Sequence, residues 1–392
     1  MAQERKKRRI VLASILKPVD DTRMFWKMGI SLAQAGLYEV IIVGYPPSST
    51  PSFPAVQFIS FDTFPRISYK RVLAKWNVFL KVWKLKPDIL IFNTHELLLP
   101  AVLLKICFGT TIVYDVQENY YRNILHSGSF PWIVRWPLAF LVRFKEKLLA
   151  PSIDHFFLAE KAYETEFRFH RSGWTVIENK GLTPDPSPEE GGAVLAFREG
   201  LHSSLSSGEG RGEAGEALRL LFSGTLAEST GVFQAIQLAK ELHLLDASIT
   251  LNIIGHATLQ RVQKKILNEI QGNEYICLIG GDRLVPYSDI MKAIRQADAG
   301  IISYPPSHHT KNSHPTKLFE YLSAQLPIIL ERHWPWTEHY LQYQPFIFFD
   351  FSKPDYPALL HELKTKQCYS RVPEDVTWAS EQPKFLAIMV KI

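Results

Sequence analysis

Short continuous runs of apolar, largely β-branched residues recur along this chain, and amphipathic segments lie between most of them. IVLASIL (10–16), EVIIVGY (39–45), DILIFN (88–93), TTIVYDV (110–116), IDHFFLA (153–159) and WTVIEN (174–179) form one series. LRLLFSG (218–224), ASITLNIIG (247–255), EYICLIGG (274–281), AGIISYP (299–305) and LPIIL (326–330) form a second. A strand that is apolar on both faces has to be covered on both. Such runs therefore predict parallel sheets sandwiched by helices. Helical spacing predicts helices over 22–36, stopped by Gly36, and over 96–109 in the first series. It predicts three more over 230–245, 259–270 and 287–298 in the second. The expected fold class is α/β, two Rossmann-like domains facing a cleft, with ligands at the carboxyl ends of the strands.

The two series are separated by PDPSPEEGGAVLAFREGLHSSLSSGEGRGEAGE (184–216), which holds seven of the 21 glycines together with clustered serine, proline and glutamate. That composition has too little apolar surface to offset the entropy of ordering, and it reads as a linker. The expected division is a first domain over 1–181, a low-complexity linker over 182–216 and a second domain over 217–370. A terminal helix within 371–392, interrupted early by Pro383, is expected to pack back on the first domain. A length of 392 residues fits two domains of ordinary size.

A net charge of +5 is too small to specify a nucleic-acid partner. Cys107, Cys277 and Cys368 are far apart, with neither metal-ligand nor disulfide spacing, which fits a reducing cytoplasm. The opening MAQERKKRRIVLASILKP reads as a basic tail and a buried strand, because its apolar run is short and no small-residue cleavage site follows.

Chemistry concentrates in NSHPTKLFEYLSAQLPII (312–329). Pro315 suits a first helical turn, and Ser313 is a candidate N-cap. The free N–H groups from Ser313 to Lys317, including that of Thr316, make an anion site with the helix dipole, and Lys317 adds a point charge. One turn on, Glu320 could accept hydrogen bonds from two ribose hydroxyls. The competing reading is an exposed Glu320 that pairs with Lys317. In the first domain, LKPVDDTR (16–23) has no glycine for close phosphate approach. Asp20, Asp21 and Arg23 are candidates for acceptor hydroxyls or for closing the cleft; the alternative is a solvated loop in which Asp21 or Thr22 caps the next helix. His95 and Glu96, at a strand end, are candidates for a base or polar contact. His308, His309 and His314 match no standard ligand set, and no metal is expected.

Two segments are both basic and aromatic. Residues 64–88 carry seven Lys/Arg and no acid before Asp88, and residues 130–149 set Trp132, Trp136 and Phe140 beside Arg135, Arg143 and Lys145. Both suit either an anionic membrane surface or a core helix with solvated lysines.

SGTLAESTGVFQAIQLAKEL, VPYSDIMKAIRQADAGIISYPPS and NSHPTKLFEYLSAQLPII resemble successive blocks of the glycosyltransferase family 4 group, retaining enzymes of the GT-B fold. DILIFNTHELLLPAVLLK and TTIVYDVQENY resemble the acceptor domain of the same group, and the likeness covers nearly the whole chain outside 184–216. The resemblance implies that Glu320 is the ribose-binding second glutamate of the family's E-x7-E motif. The first glutamate falls on Asn312, which keeps a hydrogen bond to sugar but no charge. Thr225 and Thr230 stand where the family often has Arg and Lys, in the loop that begins at Gly224, and Gly255 belongs to the same donor site. Gln117 replaces a histidine, while His95 retains one.

The resemblance implies a nucleotide-diphosphate sugar as donor substrate, no permanently bound cofactor, a glycan or lipid-linked acceptor, and a cytoplasmic location with contact to an inner membrane face. Cell-surface polysaccharide or glycoconjugate synthesis is the implied setting. The departures at Asn312, Thr225 and Thr230 support a second reading, a sugar-nucleotide binder of little or no turnover in an assembly complex. A GT-B epimerase would need more acid–base side chains than these motifs supply. An NAD oxidoreductase is disfavoured, because neither first strand runs into G-x-G-x-x-G.

Overall fold

The computed structural model describes residues 7–47, 53–64, 69–126, 130–167, 169, 173–182, 217–305 and 314–392. Linker residues 183–216, His308, His309, Lys311, Asn312 and Ser313 lie outside them. Contacts divide the chain into two compact units, Met1–Asn179 with Ser380–Ile392, and Lys180–Ala379.

In the first unit, seven strands are β1 (Arg8–Pro18), β2 (Tyr38–Tyr45), β3 (Val56–Ser60), β4 (Ile89–Phe92), β5 (Thr111–Val116), β6 (His155–Leu158) and β7 (Gly173–Val176). They pair in parallel in the order β3-β2-β1-β4-β5-β6-β7. Strand order reverses between β1 and β4, which puts the crevice of this sheet outside their carboxyl ends. The core explains the all-apolar runs: Val11, Ile41, Leu90, Ile112 and Phe156 are buried on one face beneath helices Tyr69–Leu85 and Leu98–Phe108. On helix Tyr69–Leu85 the core side is Val78 and Val82, each 1% exposed.

The second unit repeats the plan with six strands: β8 (Arg219–Thr225), β9 (Thr250–His256), β10 (Ile276–Gly281), β11 (Ala299–Ile302), β12 (Ile328–Leu330) and β13 (Phe346–Phe348). Their order is β10-β9-β8-β11-β12-β13, again parallel, with the reversal between β8 and β11. Helices Val232–Leu245 and Thr316–Ser323 bury apolar faces in separate clusters of this unit.

Several expectations need correction. The helix expected over 22–36 is π-wound over Thr22–Gly29 and α-helical only over Ile30–Gln34. Helix Trp378–Lys391 runs on through Pro383 rather than being interrupted there. Helix Thr316–Ser323 starts at Thr316 with Pro315 in the cap position, so the cap expected at Ser313 is displaced towards the helix. Strands β3 and β13 and helix Tyr356–Thr365 were not anticipated.

Candidate functional site

In the second unit the candidate residues gather at the carboxyl edge of β8 and β9. Gly224 pairs in register with Gly255, and Gly255 with Gly280. At Gly255 (φ +155) a Cβ would lie 1.7 Å from the Gly224 carbonyl oxygen, so two main chains touch where any side chain would part them. A Cβ on Gly224 itself would meet nothing nearer than Lys317 Cε, at 3.7 Å. The edge of β8 is thus bare backbone with one lysine beside it. Gly231, the left-handed residue that starts helix Val232–Leu245, packs directly on Ser303 at the end of β11. The Ser303 hydroxyl donates to its carbonyl at 2.7 Å.

Lys317 is 4% exposed, and its Nζ has no hydrogen-bond partner among the described residues. The ammonium lies 3.7 Å from the Phe222 ring centroid and 5.2 Å from that of Tyr304. Burial pushes its pKa down to about 7, with Glu320 opposing. Glu320 is 8% exposed, which removes the reading of a solvated surface glutamate. The following residue, Tyr321, anchors the helix to the sheet: its hydroxyl accepts from the Ser223 N–H at 3.1 Å and lies 2.9 Å from Ser223 Oγ. A buried, unpartnered cation one turn from a buried carboxylate is costly to maintain. It makes chemical sense as half of an ion pair whose other half is a ligand.

The two loop threonines differ. Thr225 is exposed at the strand end. Thr230 is occupied: its hydroxyl accepts from the Ala227 N–H at 3.1 Å and lies within donating distance of the Thr225 and Ala227 carbonyls. It shapes the loop rather than facing a ligand. Thr316 is the first helical residue and is half-buried.

In the first unit the residues form two groups. Arg23 is 2% exposed and is committed to the framework. Its Nε and Nη2 grip the Asp115 carboxylate at 2.9 and 2.7 Å, and Nη1 donates to the Ile177 carbonyl at 2.8 Å. Gln117 Nε2 donates to the same carboxylate at 2.7 Å. Arg23 is buried and spends Nε, Nη1 and Nη2 on framework partners, which favours a framework role over a contact to acceptor hydroxyls. Asp21 caps the π-helix, its Oδ1 accepting from the N–H groups of Arg23 and Met24, both at 3.0 Å. This is the alternative role read for it from sequence. Asp20 is half-buried in the same loop.

His95 and Glu96 stand at the end of β4 in a buried charge network. Lys145 Nζ is 2.8 Å from His95 Nδ1, and Glu96 Oε1 is 3.4 Å from His95 Nε2. Arg71 Nε donates to Glu96 Oε1 at 2.7 Å. With Lys145 as donor, the ring is the neutral tautomer carrying its proton on Nε2, towards Glu96. Burial lowers the His95 pKa to about 3, with Glu96 opposing and Lys145 and Arg71 assisting. A ring so reluctant to take a proton is a poor general base at neutral pH and suits hydrogen bonding and positioning better. Burial also lowers Lys145 to about 8 and raises Glu146 to about 7. Beside this network Asn93 Oδ1, Thr94 Oγ1 and Glu96 Oε2 are buried without a hydrogen-bond partner among the described residues. Three orphaned polar atoms at one strand end mark a place where a hydroxyl-rich ligand would be satisfied. Sequence reasoning passed over Asn93, Thr94 and Phe222, and read Lys145 only as part of a basic, aromatic segment. The first two stand in the same IFNTHE stretch as His95, but nothing in sequence brings Lys145 to His95.

Among the described residues no group of histidine, cysteine or carboxylate side chains is arranged to hold a metal ion. No described helix is long and apolar enough to cross a membrane.

No family model matches the chain, and no curated protein matches its sequence. Solved structures match over nearly its whole length. A UDP-forming α,α-trehalose-phosphate synthase from Burkholderia vietnamiensis superposes with a TM-score of 0.63 at 12% identity, covering 99% of this chain and 100% of the other. HepE from Anabaena, solved with UDP and glucose, gives 0.59 at 13% identity over 98% and 100%. WaaG, a glycosyltransferase involved in lipopolysaccharide biosynthesis, gives 0.59 at 13% identity over 96% and 95%. Identities this low speak to fold alone. With its two parallel sheets of seven and six strands, the chain has the two-domain GT-B fold of these solved glycosyltransferases.

Proposed function

We propose that this protein is a retaining glycosyltransferase. It takes a sugar from a nucleotide-diphosphate sugar held by the second unit and passes it to a glycan or lipid-linked acceptor held by the first. The observation that carries the reading is Lys317, a buried ammonium without a hydrogen-bond partner, beside the bare backbone of Gly224 and one turn from buried Glu320. A diphosphate supplies the missing counter-charge. The Lys317 ammonium and the main-chain N–H groups at the start of helix Thr316–Ser323 neutralise it, and Glu320 accepts from the ribose hydroxyls. Asn312 and Ser313 are assigned to the donor sugar and phosphate on the resemblance alone.

On the acceptor side, Asn93, Thr94 and Glu96 replace Arg23 as the groups that meet hydroxyls. The poor basicity of His95 fits a reaction in which the leaving diphosphate, not a side chain, takes the acceptor proton. The protein then contributes orientation and a fixed positive field, where one preorganised donor is worth about 3 kcal/mol at the transition state. No metal enters this reading. A cytoplasmic setting in glycoconjugate synthesis goes with it. A second reading, a sugar-nucleotide binder without turnover, is favoured by one observation: Thr230 spends its hydroxyl on its own loop and brings no charge to the diphosphate.

The test is calorimetric titration with UDP-glucose and its GDP and ADP counterparts, followed by nucleotide-release assays with any donor that binds. Glu320→Ala is expected to abolish donor binding. Normal binding by that variant would overturn the site, and binding without release across varied acceptors would establish the second reading.

A further inference from the structure

The loop that leaves β12 carries an aromatic pair that diphosphate and ribose leave untouched. Trp334 and Trp336 follow Leu330, the last residue of that strand, so they belong to the same carboxyl edge of the sheet as Gly224. Both are 3% exposed, and both indole Nε1 atoms are buried with no hydrogen-bond partner among the described residues. A buried indole N–H ordinarily finds an acceptor, and here two neighbours have none. Their rings stack, 5.7 Å between centroids and 25° between planes. The short turn Pro335–His339 holds them in place: the Thr337 N–H and hydroxyl both donate to the Trp334 carbonyl, at 3.1 and 2.7 Å.

The pair belongs to a chain of contacts that starts and ends on the helix of Lys317. The Lys317 ammonium lies 5.2 Å from the Tyr304 ring centroid, and Tyr304 meets Trp334 edge on at 6.3 Å. Trp336 meets His314 at 6.0 Å, and His314 lies 5.8 Å from Phe319, two residues along the helix from Lys317. One ring, that of Tyr304, therefore separates the first orphaned indole from the ammonium assigned to the diphosphate.

We infer that Trp334 and Trp336 select the sugar of the donor, and that this sugar carries an N-acyl group, as an acetamido sugar does. The assignment rests on the donor site proposed above. Indole donates and cannot accept, so its partner has to be an accepting oxygen. A sugar hydroxyl accepts, but brings a proton that needs an acceptor of its own. A carboxylate brings none, but burying it among rings requires a cation. Lys317 is committed to the diphosphate, Arg332 is exposed over the Phe348 ring at 4.2 Å, and His333 Nδ1 is 2.6 Å from the Glu331 carboxylate. An amide carbonyl is neutral and has two lone pairs for two N–H groups, and the methyl of an acetamido group suits the surrounding rings. A sugar without the acyl group leaves both N–H groups as they are, and that difference makes the site selective.

The test is calorimetric titration of the full chain with UDP, UDP-glucose, UDP-N-acetylglucosamine and UDP-glucuronate, together with NMR of the indole ¹⁵N–¹H groups. UDP-N-acetylglucosamine is expected to bind about ten- to a hundredfold more tightly than UDP-glucose. It should also move the Trp334 and Trp336 indole resonances, which UDP alone leaves in place. Trp334→Phe and Trp336→Phe keep a ring and remove one N–H each, and each should cut the preference about three- to tenfold. Titration of each variant with UDP checks that the site still folds. Equal affinity for UDP-glucose and UDP-N-acetylglucosamine would overturn the inference, as would a preference that survives in both variants. A preference for UDP-glucuronate would give the indoles to a carboxylate and overturn it too. Failure of UDP itself to bind would remove the donor site and this inference with it, whereas UDP binding without sugar preference removes the inference alone.

Discussion

Lys317→Met separates what the second unit needs for stability from what it needs for binding. Burial takes the Lys317 ammonium from its ordinary 10.5 down to about 7. At about 1.36 kcal/mol per pKa unit, the charged form is disfavoured in the fold by about 4–5 kcal/mol. Methionine keeps the length and apolar stem without the charge. What is lost is the attraction of the ammonium for the Phe222 and Tyr304 rings, about 1–2 kcal/mol. The variant is therefore expected to be more stable than the parent by about 2–4 kcal/mol at neutral pH, a rise in Tm of about 5–15 °C. It should also bind UDP-glucose about ten- to a hundredfold more weakly, the cost of a lost charged hydrogen bond.

The pH dependence has a definite sign. Between pH 7 and 10.5 the unfolded lysine holds a proton that the folded one has released, so parental stability climbs with pH and the advantage of methionine shrinks. Donor affinity runs the other way. The diphosphate needs the ammonium, so affinity in the parent falls as pH rises above about 7. The variant should show neither trend. Differential scanning fluorimetry and calorimetry at several pH values measure both. A variant that melts lower than the parent and binds UDP-glucose as well would make Lys317 an ordinary packing residue and refute the reasoning.

Arg23→Met should lower the stability of the first unit by about 3–5 kcal/mol, because it strands the Asp115 carboxylate in the core; unchanged denaturant unfolding would contradict the framework role. His95 should show no titration by NMR between about pH 5 and 8, given a pKa near 3, and an inflection near 6.5 would put it back among the candidate bases. Its folded pKa lies below the unfolded value, so its contribution to stability is lost as pH falls below 6.5 and the unfolded chain takes up protons first. Asn93→Ala should leave UDP-glucose affinity unaltered while weakening use of the acceptor, read as a rise in KM; equal losses for both would show that the residue does not belong to the acceptor side.

The central strands were legible because Val, Ile and Leu in unbroken runs have few other places to go. Strand β3, VQFIS, escaped because Gln57 and Ser60 break the run at a sheet edge, where covering on both faces is not required. Strand β13 is only Phe346–Phe348, too short for a period to register. The lysine and glutamate of helix Thr316–Ser323 were legible as types and as spacing. Their burial was not, since an exposed Lys317–Glu320 pair has the same sequence. The role of Arg23 was hidden for a different reason: its partners Asp115 and Ile177 lie 92 and 154 residues away. Long-range ion pairs leave no periodic trace in a single sequence.

The route of the chain also bears on how the protein is made. Residues 380–392 belong to the first unit: the Tyr38 hydroxyl donates to the Met389 carbonyl at 3.0 Å, and Phe385 packs on Phe157 at 5.5 Å between ring centroids. A ribosome translates all of 180–379 before it reaches that segment. During that interval the nascent first unit lacks the helix that covers Phe157, and its apolar flank stays bare to chaperones and neighbouring chains. A fragment cut at residue 179 would keep that defect permanently, and splicing 380–392 onto it through a flexible linker is the direct way to make the first unit close without the second.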